Sequence, residues 1–187
     1  MPRQVFEFDP PDRFVAGTVG EPGERTFFLQ ARRGGQVTTV ALEKTQVAAL
    51  AERVDELLDE VLRRSGGTAP VAAVAPVELD DVAPLDVPIV EEFRVGTMAL
   101  TWDGETERVV IEAQGVVAET GEGDELVDDD DADGPPLLRV RVTGSVARAF
   151  VKRALSLVAA GRPPCPFCGL PLDPDGHICP RANGYRR

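Results

Sequence analysis

Apolar and polar residues alternate with a period of two through much of the first forty positions, the pattern of strands with one buried face. Residues 13–19 (RFVAGTV) and 25–33 (RTFFLQARR) read as strands. Gly34-Gly35 then turns the chain tightly into a third strand at 36–42 (QVTTVAL). At position 45 the period changes. Val47, Leu50, Val54, Leu57, Leu58 and Val61 recur at helical spacing with acids and arginines between them, predicting an amphipathic helix over 45–64. Thr45 is the expected N-cap and Ser65-Gly66-Gly67 the stop. Residues 68–92 are rich in Ala, Pro and Asp. Pro70, Pro76, Pro84 and Pro88 forbid a long helix there, so an extended linker is expected, docked through Leu85, Val87 and Ile89.

A second set of elements follows. Residues 93–102 (FRVGTMALTW) predict a strand whose phase slips near Gly96, as at a bulge. Asp103-Gly104 signals a hairpin into 107–117, the acidic stretch 119–136 reads as a solvated loop, and 137–143 (LLRVRVT) reads as a further strand. Ser145 is then the expected cap of a helix running to about residue 160. Phe14-Val-Ala-Gly17-Thr18 parallels Phe93-Arg-Val-Gly96-Thr97, and further on Val40, Thr45, Leu50 and Leu57 parallel Val140, Ser145, Phe150 and Leu157. The expected fold is therefore α+β. Two β-β-β-α repeats (1–67 and 93–160) would form antiparallel sheet or sheets packed by two helices, because one such unit buries little by itself. A small tail, 161–187, completes the chain.

That tail carries the chemistry. All three cysteines and the single histidine fall within it, as Cys165-x2-Cys168-x8-His177-x-Cys179. Three thiolates and an imidazole are a tetrahedral zinc set, and four protein ligands leave no open coordination position. One structural Zn2+ is the expected cofactor. Gly169 would supply the left-handed backbone of a metal knuckle, and Asp173-Pro174-Asp175-Gly176 a turn back to the metal. Two other readings are open: three free thiols beside an idle histidine, or a redox C-x-x-C pair. Redox pairs sit at a helix N-terminus after a strand, whereas this pair follows a helix. With no further cysteine to pair with, the cluster points to a reducing compartment, hence the cytoplasm.

The formal charge of -12 is unevenly spread. From Arg139 onward there are nine Lys/Arg and two acids, a positive excess of seven, while the preceding 138 residues carry a negative excess of nineteen. A polyanion would meet attraction only at the C-terminal end, where Arg148, Lys152, Arg153, Arg181, Tyr185, Arg186 and Arg187 are the candidate contacts. The N-terminal residues hold no apolar signal segment, and no apolar run approaches membrane length.

The tail CPFCGLPLDPDGHICPRANGY, with FDPPDRFVAGTVG and EEFRVGTMALTWD upstream, resembles an actinobacterial family, domain of unknown function 3090, over nearly the whole chain. The resemblance implies a cytoplasmic actinobacterial protein and assigns no catalytic residues.

Catalytic motifs are scarce. There is no phosphate-binding loop or dinucleotide fingerprint, and the only histidine belongs to the metal set. Asp80-Asp81, Glu91-Glu92 and Asp128 to Asp131 read as solvated charge. Three functions follow in order of preference: a non-catalytic binding or adaptor protein holding a protein partner or small ligand, a nucleic-acid binder using the basic end, and an enzyme with a site between the repeats.

Overall fold

The computed structural model describes residues 3–116, 134–161, 164–170, 172, 177–179 and 181. Seven strands and two helices follow in order: β1 (Val5–Phe8), β2 (Arg13–Val19), β3 (Thr26–Arg33), β4 (Gln36–Leu42), α1 (Lys44–Arg64), β5 (Glu91–Asp103), β6 (Arg108–Gly115), β7 (Leu137–Thr143) and α2 (Gly144–Ala159). The three-strand-plus-helix order thus occurs twice, with β1 standing outside it.

The strands form one sheet in the order β1-β7-β6-β5-β4-β3-β2. The sheet is mixed rather than purely antiparallel, because β4 pairs with β5 and β1 with β7 in parallel. Strand β1 was not anticipated from the sequence. It places the first and last strands of the order only four residues apart in the chain. A flat sheet of seven strands would separate its edges by roughly 29 Å. The connection from Phe8 to Arg13 reaches about 18 Å at most. The sheet therefore curls. Its curl brings Arg33 to donate to the Asp9 carbonyl at 2.9 Å, and lets α2 touch β2 at one edge and β6 and β7 near the other.

Alternation decides what each face of the sheet buries. Phe14, Ala16, Leu29, Val40, Leu42, Ile111, Val140 and Val142 face the helices and form the main core with Val47, Leu50, Val54 and Leu58 of α1 and Phe150, Val151 and Ala154 of α2. Leu57 and Val61, expected in the core, are half-buried at its margin. The bulge expected at Gly96 is present as a register shift between Val95 and Thr97. Both expected N-caps are displaced. Glu43 caps α1, its N–H donating to Gln46 Oε1 at 2.8 Å, because a Gln three residues on closes a reciprocal cap that Thr45 lacks. Thr143 caps α2, its hydroxyl accepting the Val146 N–H at 3.3 Å.

The opposite face of β2–β4 holds a second, smaller cluster, Val15, Phe28 and Ala41. The linker crosses it. After a short 3-10 turn at Val77–Leu79, residues 80–86 form an extended strap whose Leu85 completes that cluster, with Ile89 beside it. Val87, expected to dock, is 82% exposed, since alternation along the strap turns it outward. Gly17 is what lets Leu85 in: a Cβ there would lie 2.5 Å from Leu85 Cγ. Gly17→Ala is expected to lift Leu85 off the sheet, read as faster limited proteolysis within 77–87 at an unchanged rate elsewhere.

Charge fastens the strap as well. Arg13 donates to both oxygens of Asp81 at 2.6 and 3.0 Å and to Asp86 at 3.0 Å. The Arg13 hydrogen bonds hold the Asp81 carboxyl below its usual range against the opposing effect of burial; the Arg13 charge, the Ala83 N–H and Arg153 add to the lowering. A carboxyl lowered in the folded state stabilises fully above its unfolded value of about 4, and that contribution is lost as pH falls through the folded value. Asp81→Asn should accordingly depress Tm at neutral pH, and the gap from wild type should close as melts are taken below about pH 4.

Candidate metal centre

The site begins where α2 stops. The Cys165 carbonyl accepts the Gly169 N–H at 2.8 Å, and the Cys165 N–H donates to the Leu170 carbonyl at 2.7 Å. These two bonds fold residues 165–170 into a knuckle. Gly169 sits at φ 76, and nothing lies within 4 Å of where a Cβ would stand, so its requirement is conformational and not steric. The knuckle turns Cys165 and Cys168 toward one point, and the chain returns with His177 and Cys179.

The four ligand atoms lie within 4.8 Å of one another. Cys165 Sγ and Cys179 Sγ are 3.9 Å apart, and Cys168 Sγ is 3.2 Å from His177 Nε2. A tetrahedral zinc with Zn–S of about 2.3 Å and Zn–N of about 2.0–2.1 Å would set those edges at roughly 3.8 and 3.6 Å. The donor set and its spacing fit such an ion. A disulfide needs sulfurs about 2.05 Å apart, and none of the three cysteines forms one. Cys165 and Cys179 are buried, while Cys168 and His177 are half-buried. His177 directs Nε2 at the sulfurs; its Nδ1 is buried without a hydrogen-bond partner among the described residues.

The backbone favours thiolate in this cluster. Burial opposes ionisation of Cys165, yet the N–H groups of Cys168 and Phe167 and the neighbouring thiols outweigh it and hold Cys165 below its ordinary value. At Cys168 the Leu170 N–H acts in the lowering direction, but burial and the facing Cys179 and Cys165 prevail and raise it. Three sulfurs this close ionise in steps unless a cation neutralises them, which is what a divalent metal does.

Arg148, Lys152 and Arg153, also singled out from the sequence, lie on α2 and are engaged there. Arg148, buried on α2, donates to the carboxylates of Asp55 and Asp59 on α1 and to the Ala72 carbonyl at 3.0 Å. Lys152 bonds both oxygens of Asp80 at 2.6 Å. Arg153 bonds Asp81 at 2.9 Å and the carbonyls of Ala16 and Ala83 at 2.7 and 2.8 Å. The basic side of α2 is thus paired with acids of α1 and the strap. Arg181 donates to the Phe167 carbonyl at 3.3 Å, joining the two arms of the tail. Tyr185, Arg186, Arg187, the turn at 173–176 and nearly all of the acidic stretch 119–136 lie outside the described residues.

Sequence reasoning missed Arg13, Gly17 and Gln30, which receive the strap. The one available signal was the adjacent pair Asp80-Asp81 within the linker. It also missed an open groove of about 560 Å³ between the end of α1 and the β5–β6 turn, floored by Leu57, Val61, Ala69 and Trp102.

A curled sheet around two helices, carrying a C-terminal Cys/His metal-ligand cluster, defines the class of protein. The family described as Protein of unknown function (DUF3090) matches residues 6–179, and the chain belongs to it. Neither the curated proteins nor the solved structures contain a match to this chain. No helix among the described residues is long and apolar enough to cross a membrane.

Proposed function

We propose that this is a non-catalytic binding or adaptor protein whose C-terminal tail is folded by one structural zinc ion. The observation that carries the reading is the convergence of Cys165, Cys168, His177 and Cys179 within 4.8 Å. Three thiolates and an imidazole satisfy a tetrahedral zinc completely, and such an ion cross-links a tail too short to bury a core of its own. Cys165, Cys168 and Cys179 would hold it through sulfur and His177 through Nε2. Three cysteines without a disulfide suit a reducing compartment and support a cytoplasmic location. The pairing of Arg148, Lys152 and Arg153 with the chain's own carboxylates supports a protein or small-ligand partner over a nucleic acid.

Native mass spectrometry of the protein purified under reducing conditions tests the metal assignment. One zinc per chain is the expected result. An apoprotein that takes up no zinc, or a chain that retains iron in its place, would overturn it.

A further inference from the structure

The strap is held as a peptide ligand is held. Gln30 lies on the face of β3 beneath it, 1% exposed, and its side-chain amide does what a neighbouring strand would do. Its Oε1 accepts the Asp86 N–H at 2.7 Å and its Nε2 donates to the Asp86 carbonyl at 3.0 Å. Thr39 orients that amide by accepting from Nε2 at 3.0 Å. One residue back, Leu85 fills the apolar notch that Gly17 leaves among Val15, Phe28 and Ala41.

Four residues before Leu85, two guanidinium groups close on one carboxylate. Arg13 grips Asp81 with both arms, and Arg153 adds a third bond. With the strap seated, the side chains of Arg13 and Arg153 are only 11% and 13% exposed. Each also takes main-chain oxygens of the strap: Arg13 those of Ala83 and Pro84 at 3.0 Å, and Arg153 that of Ala83. Arg13 and Arg32 then share Asp86. Backbone clamps, an anchor pocket and charged ends are the parts of an extended-peptide site.

The strap pairs with no strand among the described residues, and its Val82 points outward at 96% exposure. Beside it lies an open groove of about 280 Å³ lined by Val82, Ala149, Lys152, Ser156 and Leu157.

We propose that the groove across β2, β3 and α2 is a peptide-recognition site, that the strap is its resident occupant in cis, and that a partner protein carrying an extended Asp-x-x-x-Leu-Asp segment displaces the strap to bind there. This rests on the binding-protein reading and gives the partner its chemistry. It does not depend on the metal, so a groove that binds nothing would leave the zinc stoichiometry untouched.

A tethered occupant competes at an effective concentration of about millimolar, so a peptide in trans sees only the fraction of molecules whose groove is open. The test is to disable the strap in the full-length chain with Asp81→Asn and Leu85→Ala together. A fluorescent peptide of residues 76–88 is then titrated by anisotropy. It should bind the disabled chain at least about tenfold more tightly than wild type. Adding Arg13→Gln to the disabled chain, or replacing the peptide's leucine by alanine, should abolish that gain. Equal affinity for wild type and the disabled chain, or binding to neither, overturns the proposal. Circular dichroism reports whether the disabled chain folds. If it does not, hydrogen exchange on the wild type decides. Saturating peptide should speed exchange of the Asp86 amide while β2 and β3 stay protected, whereas an Asp86 amide as protected as β3 and unmoved by peptide overturns it.

Discussion

Cys165→Ser is expected to strip the tail of zinc under conditions in which wild type retains it. Cys165 is central to the knuckle: its carbonyl and N–H close the loop on Gly169 and Leu170. Serine keeps the backbone bonds but offers a hydroxyl that stays protonated at neutral pH, a poor ligand for zinc beside two thiolates. Loss of an outer-shell partner of a metal ligand typically costs 10–100-fold in affinity, and loss of a ligand should exceed about 100-fold. Competition with a chromophoric chelator measures it directly. Because the thiols must lose protons to bind the ion, wild-type affinity should also fall as pH is lowered. A variant that holds zinc within about threefold of wild type would mean that the sulfur is not a ligand.

Phe150→Ala carries the largest expected loss of stability. Phe150 is buried on α2 and stacks on Phe14 of β2, with ring centroids 4.8 Å apart and planes inclined by 20°. That contact seats α2 against an edge of the curled sheet. Truncation removes the ring's burial and leaves a cavity beneath the helix, at a cost of about 3–5 kcal/mol. Set against a total of about 5–15 kcal/mol, this is a large share. Urea titration should show a lower midpoint with an unchanged slope. Phe150→Leu should recover much of the difference by refilling the space. A loss below about 1.5 kcal/mol for the alanine variant would place the ring outside the cooperative core.

The legible and illegible parts of this chain divide by the range of the interactions that hold them. Residues 13–19, 36–42 and 137–143 read from the sequence with the bounds that β2, β4 and β7 have, because alternation and adjoining turn or polar residues are local signals. The metal cluster was legible for the same reason: its four ligands fall within fifteen residues. Strand β1 was not, since Val5–Phe8 is short and what makes it a strand is Leu137–Val140, far along the chain. The caps failed on a finer point, because Thr45 looks like a better cap than Glu43 until Gln46 is seen to reach back. The strap's site was hidden altogether. Arg13, Gly17, Gln30 and Arg153 have no shared pattern in sequence; the curl of the sheet and the crossing of the linker bring them to one groove.

The pairing of β1 with β7 also bears on how the chain is made. During synthesis β1 emerges first, yet its partner follows only after more than a hundred further residues; 132 positions separate Arg3 from Pro135, which it bonds. Contacts of such separation form late, because a long loop must close before they return any stabilisation. Until then the nascent chain carries an apolar segment with nothing to pair it, and once made, β7 waits with a bare edge able to template another chain. Closing the curl by pairing β1 with β7 is therefore expected late in folding, and it is the step that covers the bare edge of β7.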